Sequence, residues 1–442
     1  MTRPNFLFIM ADDLGWADLS CYGREDYETP RLDALAASGM KLTHAYANSA
    51  VCTATRVAFM TGRYQYRIPI GLEEPLQLRD IGLEPDHPTI ASLLRDAGYR
   101  TTLVGKWHLG GLPKYCPLKS GFETFWGIRG GGVDYFTHEL NGELDLWDGE
   151  VTVDRVGYLT DLLAEQAVEV LEDYAGQDAP FFLNLNFTAP HWPWTGPEDE
   201  DESARLAAKW DDPQDEDTMP IQHWDGGTNA TYGAMMRNLD ENVGRVLDAL
   251  ESLGLADNTV VVFTSDNGGE RFSKPWPFVG KKTELLEGGL RVPCLVRWPG
   301  VTPAGSESEA QVMTMDWLPT FLAAAGGAQS PDHPSDGMDI RPALGGDAIP
   351  ERTLFWRFAN HDQKAARRGN RKYYSSGANA FLFDVVADPM ERANLKLREP
   401  ETFASLEAAW QEWNATMLPP DPEAGRHGFT ADKLAEYYGV DS

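Results

Sequence analysis

Residues 5–13, NFLFIMADD, set the expectation for the fold. An apolar run ends abruptly in Ala11-Asp12-Asp13, which is how a strand buried in a parallel sheet reads when its carboxyl end opens into a polar site. Paired acids at such an end point to a cation, and hard oxygen donors suit calcium or magnesium better than zinc. A helix cap or a solvated turn is the competing reading of the pair.

The same pattern recurs outward along the chain. Residues 101–104 read as a strand and lead into Gly105-Lys106-Trp107-His108-Leu109-Gly110; residues 180–187, PFFLNLNF, lead into Thr188-Ala189-Pro190-His191-Trp192-Pro193. Residues 259–264, TVVVFT, end in Ser265-Asp266-Asn267-Gly268, and residues 293–298 give another strand. Helix patterns lie between them. Residues 29–39 start with Pro30 and close at Gly39, residues 89–97 stop at Gly98, and residues 159–174 and 231–253 carry apolar stripes at helical spacing. Residues 315–325 read as a further helix. Strands alternating with helices imply a mostly parallel α/β sheet sandwiched by helices, with ligands at the carboxyl ends of the strands.

From Arg352 the texture changes to short strand-like pieces (353–358, 371–374, 380–386) and one helix (400–417), which predicts a small antiparallel sheet with a covering helix. The expected division is therefore a catalytic unit over 1–345 and a smaller C-terminal α+β unit over 346–442. No role follows for the polar tail after Leu418.

Across 442 residues, 38 basic and 68 acidic side chains leave a net charge of −30, which repels nucleic acid and heavily sulfated polymers at long range. The four cysteines form no C-x-x-C pair and suggest neither a zinc site nor a disulfide framework. No stretch approaches ~20 continuous apolar residues, and the amino terminus shows no apolar signal region, so the expectation is a cytoplasmic protein without a membrane span. Residues 198–217 are acid-rich and read as a solvated loop, while Gly130-Gly131-Gly132 lacks dinucleotide-fingerprint spacing and reads as a flexible loop.

The candidate chemistry centres on residues 51–67, VCTATRVAFMTGRYQYR, which read as a short buried helix with Cys52 at its N-terminal mouth. Such a mouth favours anions and lowers a thiol pKa, whereas the plainer reading is a buried structural cysteine. Lys106 and His108, two apart in an extended segment, share a face. Prolines on either side of His191-Trp192 stiffen that loop. Asp266-Asn267 forms a second oxygen-bearing pair at a strand end, and two such pairs strengthen the reading of a shared metal.

Cys52-x-Ala54-x-Arg56 followed by Thr61-Gly62-Arg63 resembles the signature of the formylglycine-dependent sulfatases. ADDLGWADLSCYG (11–23) is similar to that family's opening block, GKWHLG (105–110) to a second, and GKKTELLEGGLRVP (280–293) to a third, in which the family lysine falls on Lys282. Leu382-Phe383-Asp384-Val385 with Asp388-Pro389 and Asn394-Leu395 resembles the family's C-terminal part. This chain has Ala54 where proline is commoner, Thr55 where serine is, and Lys281 where the family has glycine.

The resemblance implies an alkaline-phosphatase-like fold and a sulfuric ester hydrolase. It implies that a maturation enzyme oxidises Cys52 to formylglycine, whose hydrate attacks sulfur while Arg56 steadies it. Asp12, Asp13, Asp266 and Asn267, with residue 52, would hold Ca2+ or Mg2+. Lys106, His108, His191 and Lys282 would surround the sulfate, with His108 or Asp266 taking the nucleophile's proton and His191 or Lys282 helping the alcohol leave. The implied substrate is the sulfate monoester of a small alcohol, phenol or sugar. The alternative for the same nucleophile and metal is a phosphonate monoester or phosphodiester. Oligomeric state stays open.

Overall fold

The computed structural model describes residues 3–76, 79–140, 142–210 and 220–426. A ten-stranded sheet forms the centre, in the order Ser306–Ser308, Met40–Leu42, Cys294–Arg297, Thr259–Ser265, Asn5–Ala11, Phe181–Asn186, Arg100–Gly105, Thr124–Gly127, Trp147–Asp148, Val151–Thr152. The run from Thr259–Ser265 to Thr124–Gly127 is parallel, and antiparallel pairings appear only outside it. The sheet is thus mixed and mostly parallel.

Strand pleating explains why two helical layers are needed. On Asn5–Ala11, Leu7 and Ile9 enter one core with the helices Pro30–Ser38, Leu159–Ala175 and Asn229–Ser252. Phe6, Phe8 and Met10 enter the opposite core with Cys52–Thr61, Ile90–Asp96 and Trp317–Ala325. Successive side chains point to opposite faces, so a strand apolar throughout must be covered twice.

A four-stranded antiparallel sheet, Thr353–Phe358, Gln363–Arg368, Arg371–Ser376 and Asn379–Asp384, follows, with Pro400–Asn414 packed on it through Phe403, Leu406, Trp410 and Trp413. The second of these strands, QKAARR, has no counterpart in the sequence reading because its side chains are polar or small. A buried ion network ties this sheet to the short helix Glu287–Leu290 and to Tyr46 of a separate two-stranded sheet. Glu287 accepts from Tyr46 Oη at 2.5 Å and from Lys372 Nζ at 3.0 Å, and Glu391 accepts from the Glu287 amide at 2.7 Å.

One of the two stretches expected to be loops is regular structure. In the acid-rich stretch, Glu200–Trp210 is an α-helix with its acids in the first turn and Lys209 in the last, the arrangement the helix dipole favours. Buried Leu206 and Ser203, which donates to Asp134 at 2.6 Å, dock it. Residues 211–217 of that stretch lie outside the described residues. The triple glycine at 130–132 is a loop, with Gly131 against His108 and Gly132 against His191.

Candidate active site

Parallel register brings the chemistry to one level. Met10 pairs with both Thr264 and Asn186, and Asn186 pairs with Gly105, so the chain leaves four neighbouring strands at one level, toward Asp12, Asp266, Lys106 and His191. The ladder continues one step further. The Asp266 amide donates to the Ala11 carbonyl at 3.2 Å, Asp12 to Ala189 at 3.2 Å, and Lys106 to Asn186 at 2.9 Å. Gly105, at φ 103°, makes the turn, because a Cβ there would lie 1.9 Å from the Asn186 carbonyl oxygen. Asp13 is left-handed at φ 60°, with its amide donating to Asp266 Oδ1 at 3.3 Å.

Cys52 is the first residue of Cys52–Thr61, reached from a separate two-stranded sheet rather than from a strand end of the central one. Burial pushes its thiol pKa up, outweighing the cations Lys106 and Lys282 nearby, so the lowered pKa expected of a helix mouth does not hold. Four residues later, Arg56 donates to Asp266 Oδ2 through Nε at 3.0 Å and Nη2 at 2.8 Å, and to the Lys106 carbonyl through Nη1 at 3.3 Å. Its guanidinium therefore fixes the Asp266 carboxylate and the backbone beneath Lys106.

Lys106 Nζ donates to Asp12 Oδ2, and Lys282 Nζ donates to Asp13 Oδ2 at 2.6 Å. Asn267 Nδ2 donates to Asp13 Oδ1 at 2.7 Å. Of the adjacent lysines, Lys282 is the one at Asp13, while the Lys281 amide donates to Glu284 at 3.0 Å. Burial and the neighbouring Asp266 carboxylate hold Asp12 well above the usual carboxylate range. For Asp13 burial acts in the same direction, but Lys282 and His191 overcome it and hold it low. Burial alone would lower Lys282, and Asp13 and Glu270 raise it instead.

Both histidines are buried, with pKa lowered by burial and then by neighbouring cations, Lys106 for His108 and Lys282 for His191. His191 Nδ1 meets the Trp192 carbonyl at 2.8 Å and His108 Nε2 the Leu76 carbonyl at 3.3 Å. A carbonyl accepts only, so those nitrogens carry the proton in the neutral rings and the others are free to accept one. His191 Nε2 lies 3.6 Å from Asp13 Oδ2, and His108 Nδ1 is buried without a hydrogen-bond partner.

All ten residues singled out in the sequence thus meet around Asp12, Asp13 and Asp266. Four further residues at the site were not among them. Gly131 and Gly132 press on the imidazoles: a Cβ would fall 2.7 Å from His108 Nε2 and 3.1 Å from His191 Nδ1. Glu270, buried, has Oε2 3.6 Å from Lys282 Nζ; burial lifts its pKa to about 7 against the pull of that lysine. Gln363, from the C-terminal sheet, accepts from the Leu285 amide at 2.9 Å and donates to the Thr283 carbonyl at 2.9 Å. An acid three residues beyond Asn267 was a readable signal for Glu270, whereas nothing local marks Gln363.

The donor set fits a hard divalent cation. Ligand atoms of Asp12, Cys52 and Asp266 lie within 4.8 Å of one another, as do those of Asp12, Asp13 and His191. Asp12 Oδ1 and Asn267 Oδ1 are buried without a hydrogen-bond donor, a costly state that a cation relieves.

A protein-family model described as Sulfatase matches residues 4–328. The chain belongs to the sulfatase family. It is a hydrolase of sulfate esters with the sulfatase fold of the alkaline-phosphatase-like superfamily. It is 32% identical over 388 residues to N-acetylgalactosamine-6-sulfatase of Canis lupus familiaris, covering 80% of this chain and 68% of that one. It is 31% identical to steryl-sulfatase of Mus musculus, covering 96% and 84%. Among solved structures, Ps i-CgsB in complex with k-i-k-neocarrahexaose superposes at TM-score 0.85 with 28% identity, covering 98% of this chain and 97% of that one. The phosphonate monoester hydrolase of Agrobacterium radiobacter, at TM-score 0.66 and 22% identity over 93% and 96%, shares the fold.

Proposed function

We propose that this sulfatase hydrolyses the sulfate monoester of a small alcohol, phenol or sugar through a formylglycine made from Cys52 by a maturation enzyme that reads Cys52-x-Ala54-x-Arg56. The observation that carries this reading is the position of Cys52: first residue of a buried helix, with its Sγ grouped with Asp12 and Asp266 and with Lys106 and Lys282 close enough to act on it. The relatives named for N-acetylgalactosamine 6-sulfate, and the structure holding a neocarrahexaose, support a sugar within that class. The net charge of −30 supports a small substrate over a polyanionic polymer.

Asp12, Asp13, Asp266 and Asn267, with residue 52, would hold Ca2+, with Mg2+ the alternative. When bound, the cation supplies Lewis-acid polarisation at the reacting group, and the aldehyde hydrate supplies the nucleophilic oxygen.

The chain's own residues then divide the remaining work. Arg56 locks the Asp266 carboxylate with two hydrogen bonds, which leaves His108 Nδ1, bare and buried, as the less engaged of the two candidate proton acceptors. Lys106 and Lys282 are fixed ammonium donors where negative charge develops on the sulfuryl and bridging oxygens. His191, with Nδ1 engaged by the Trp192 carbonyl, turns Nε2 toward Asp13.

The test is the ratio of kcat/KM for an aryl sulfate and an aryl phosphonate monoester, on protein with formylglycine verified at position 52. A ratio strongly favouring sulfate supports the reading; one favouring phosphonate keeps the nucleophile and overturns the substrate.

A further inference from the structure

Glu270 is a carboxylate that the chemistry above does not use. It is 4% exposed, and its Oε2 has no hydrogen-bond partner. It caps no helix. Its position is nonetheless fixed: the Lys282 amide donates to the Gly269 carbonyl at 2.9 Å, and the Ser273 amide donates to the Glu270 carbonyl at 3.0 Å. Asp18 anchors the far side of this loop, accepting from Ser273 Oγ at 2.6 Å and from the Lys274 amide at 2.8 Å while also receiving the Gly15 amide at 2.7 Å. The loops after two neighbouring strands are thereby clamped together, and Glu270 is held with Oε2 3.6 Å from Lys282 Nζ.

Lys282 consequently sits between two carboxylates, Asp13 at 2.6 Å and Glu270 at 3.6 Å. Its partner Asp13 is already engaged by Asn267. A second acid adds little to holding an ammonium that one carboxylate already binds. What it does add, in its ionised form, is one negative charge at the edge of an anion site built from Arg56, Lys106 and Lys282.

A sulfate monoester carries one negative charge, and a phosphate monoester of the same shape carries two above its second ionisation. Shape cannot separate them, so the charge of the site must.

We propose that Glu270 is a specificity-determining residue: its carboxylate offsets Lys282 so that the site accepts singly charged esters and rejects doubly charged phosphate monoesters. The proposal rests on the sulfate-ester reading above. The penalty falls on dianions because repulsion from a fixed charge scales with the charge of the ligand, and in a water-poor site it is weakly screened.

The experiment compares wild type with Glu270→Gln, each with formylglycine verified at position 52, in alkaline buffer. Aryl sulfate, aryl phosphonate monoester and aryl phosphate monoester share one leaving group. The expected result is a fall in the sulfate-to-phosphate ratio of kcat/KM of about 10- to 100-fold in Glu270→Gln, the scale of one unit charge acting at close range. The sulfate-to-phosphonate ratio should stay level, since both esters are singly charged. Glu270→Asp keeps the charge and should keep most of the wild-type discrimination, and Glu270→Ala replaces the Gln variant should that one not fold. A parallel fall on all three substrates would mean that Glu270 only packs the loop, and would overturn the proposal. A wild type that prefers phosphonate to sulfate would instead overturn the sulfate reading, while leaving the comparison of single with double charge intact.

Discussion

Replacing Gly131 by alanine tests whether the glycine loop sets the histidine geometry. The added Cβ would lie 2.7 Å from both Cε1 and Nε2 of His108 and 3.3 Å from its Nδ1. Carbon contacts settle near ~3.5 Å, so ring and loop must separate by roughly 0.8 Å. The ring has little freedom to yield. His108 is buried, left-handed at φ 55°, and tethered to the Leu76 carbonyl by a bond already 3.3 Å long, which such a shift breaks. Losing that buried bond costs about 1–3 kcal/mol of stability, and displacing a reacting group by nearly 1 Å costs on the order of 100-fold in rate. The assay is kcat/KM on an aryl sulfate together with a thermal melt. Gly111→Ala is the control, because a Cβ there meets nothing within 4 Å. Gly131→Ala retaining activity within about threefold, or Gly111→Ala losing as much, would refute the reasoning.

Gln363→Ala strips partners from the Leu285 amide and the Thr283 carbonyl next to Lys282; kcat/KM should drop about tenfold and stability by about 2 kcal/mol, read by kinetics and denaturant unfolding, although Gln363 lies on the C-terminal sheet. Burial raises Glu74 from 4.5 to about 7, opposed by the Ala359 amide and Arg357, so the folded state binds its proton more tightly than the unfolded chain. Its contribution to stability is therefore full below pH 4.5 and is lost as pH rises through 7, by about 3 kcal/mol; Glu74→Gln should flatten that part of a pH series of melts. Dialysis against a chelator should abolish turnover and lower the melting temperature, with calcium restoring both; calcium at a hundredfold over its Kd stabilises by about 3 kcal/mol. An unchanged melting temperature after verified metal removal would contradict the proposed ligand set.

Four neighbouring strands of the central sheet were legible because a run of apolar and β-branched residues stops at a polar phrase, ADD, GKWHLG, TAPHWP or SDNG. Those phrases carry most of the site, since parallel strands deliver their carboxyl ends to one edge. Less was legible where the determinant is tertiary. Gln363–Arg368 forms a strand because Thr353–Phe358 and Arg371–Ser376 flank it, not because QKAARR favours one. The Glu200–Trp210 helix is polar on most sides and is fastened by the Ser203 bond to Asp134, far away in sequence, and by the burial of Leu206. The thiol of Cys52 went the other way because burial outweighed the cations Lys106 and Lys282 beside it. Gly131 and Gly132 looked like slack chain, and only the imidazoles opposite them explain why a side chain has no room there.

The central claim is that residue 52, once converted, cleaves a sulfate ester. Its most direct test is sulfate release from an aryl sulfate measured across preparations that differ in maturation, each plotted against the fraction of residue 52 found as formylglycine by peptide mass. The account predicts a straight line through the origin. Undiminished sulfate release from protein whose residue 52 is entirely cysteine would contradict it.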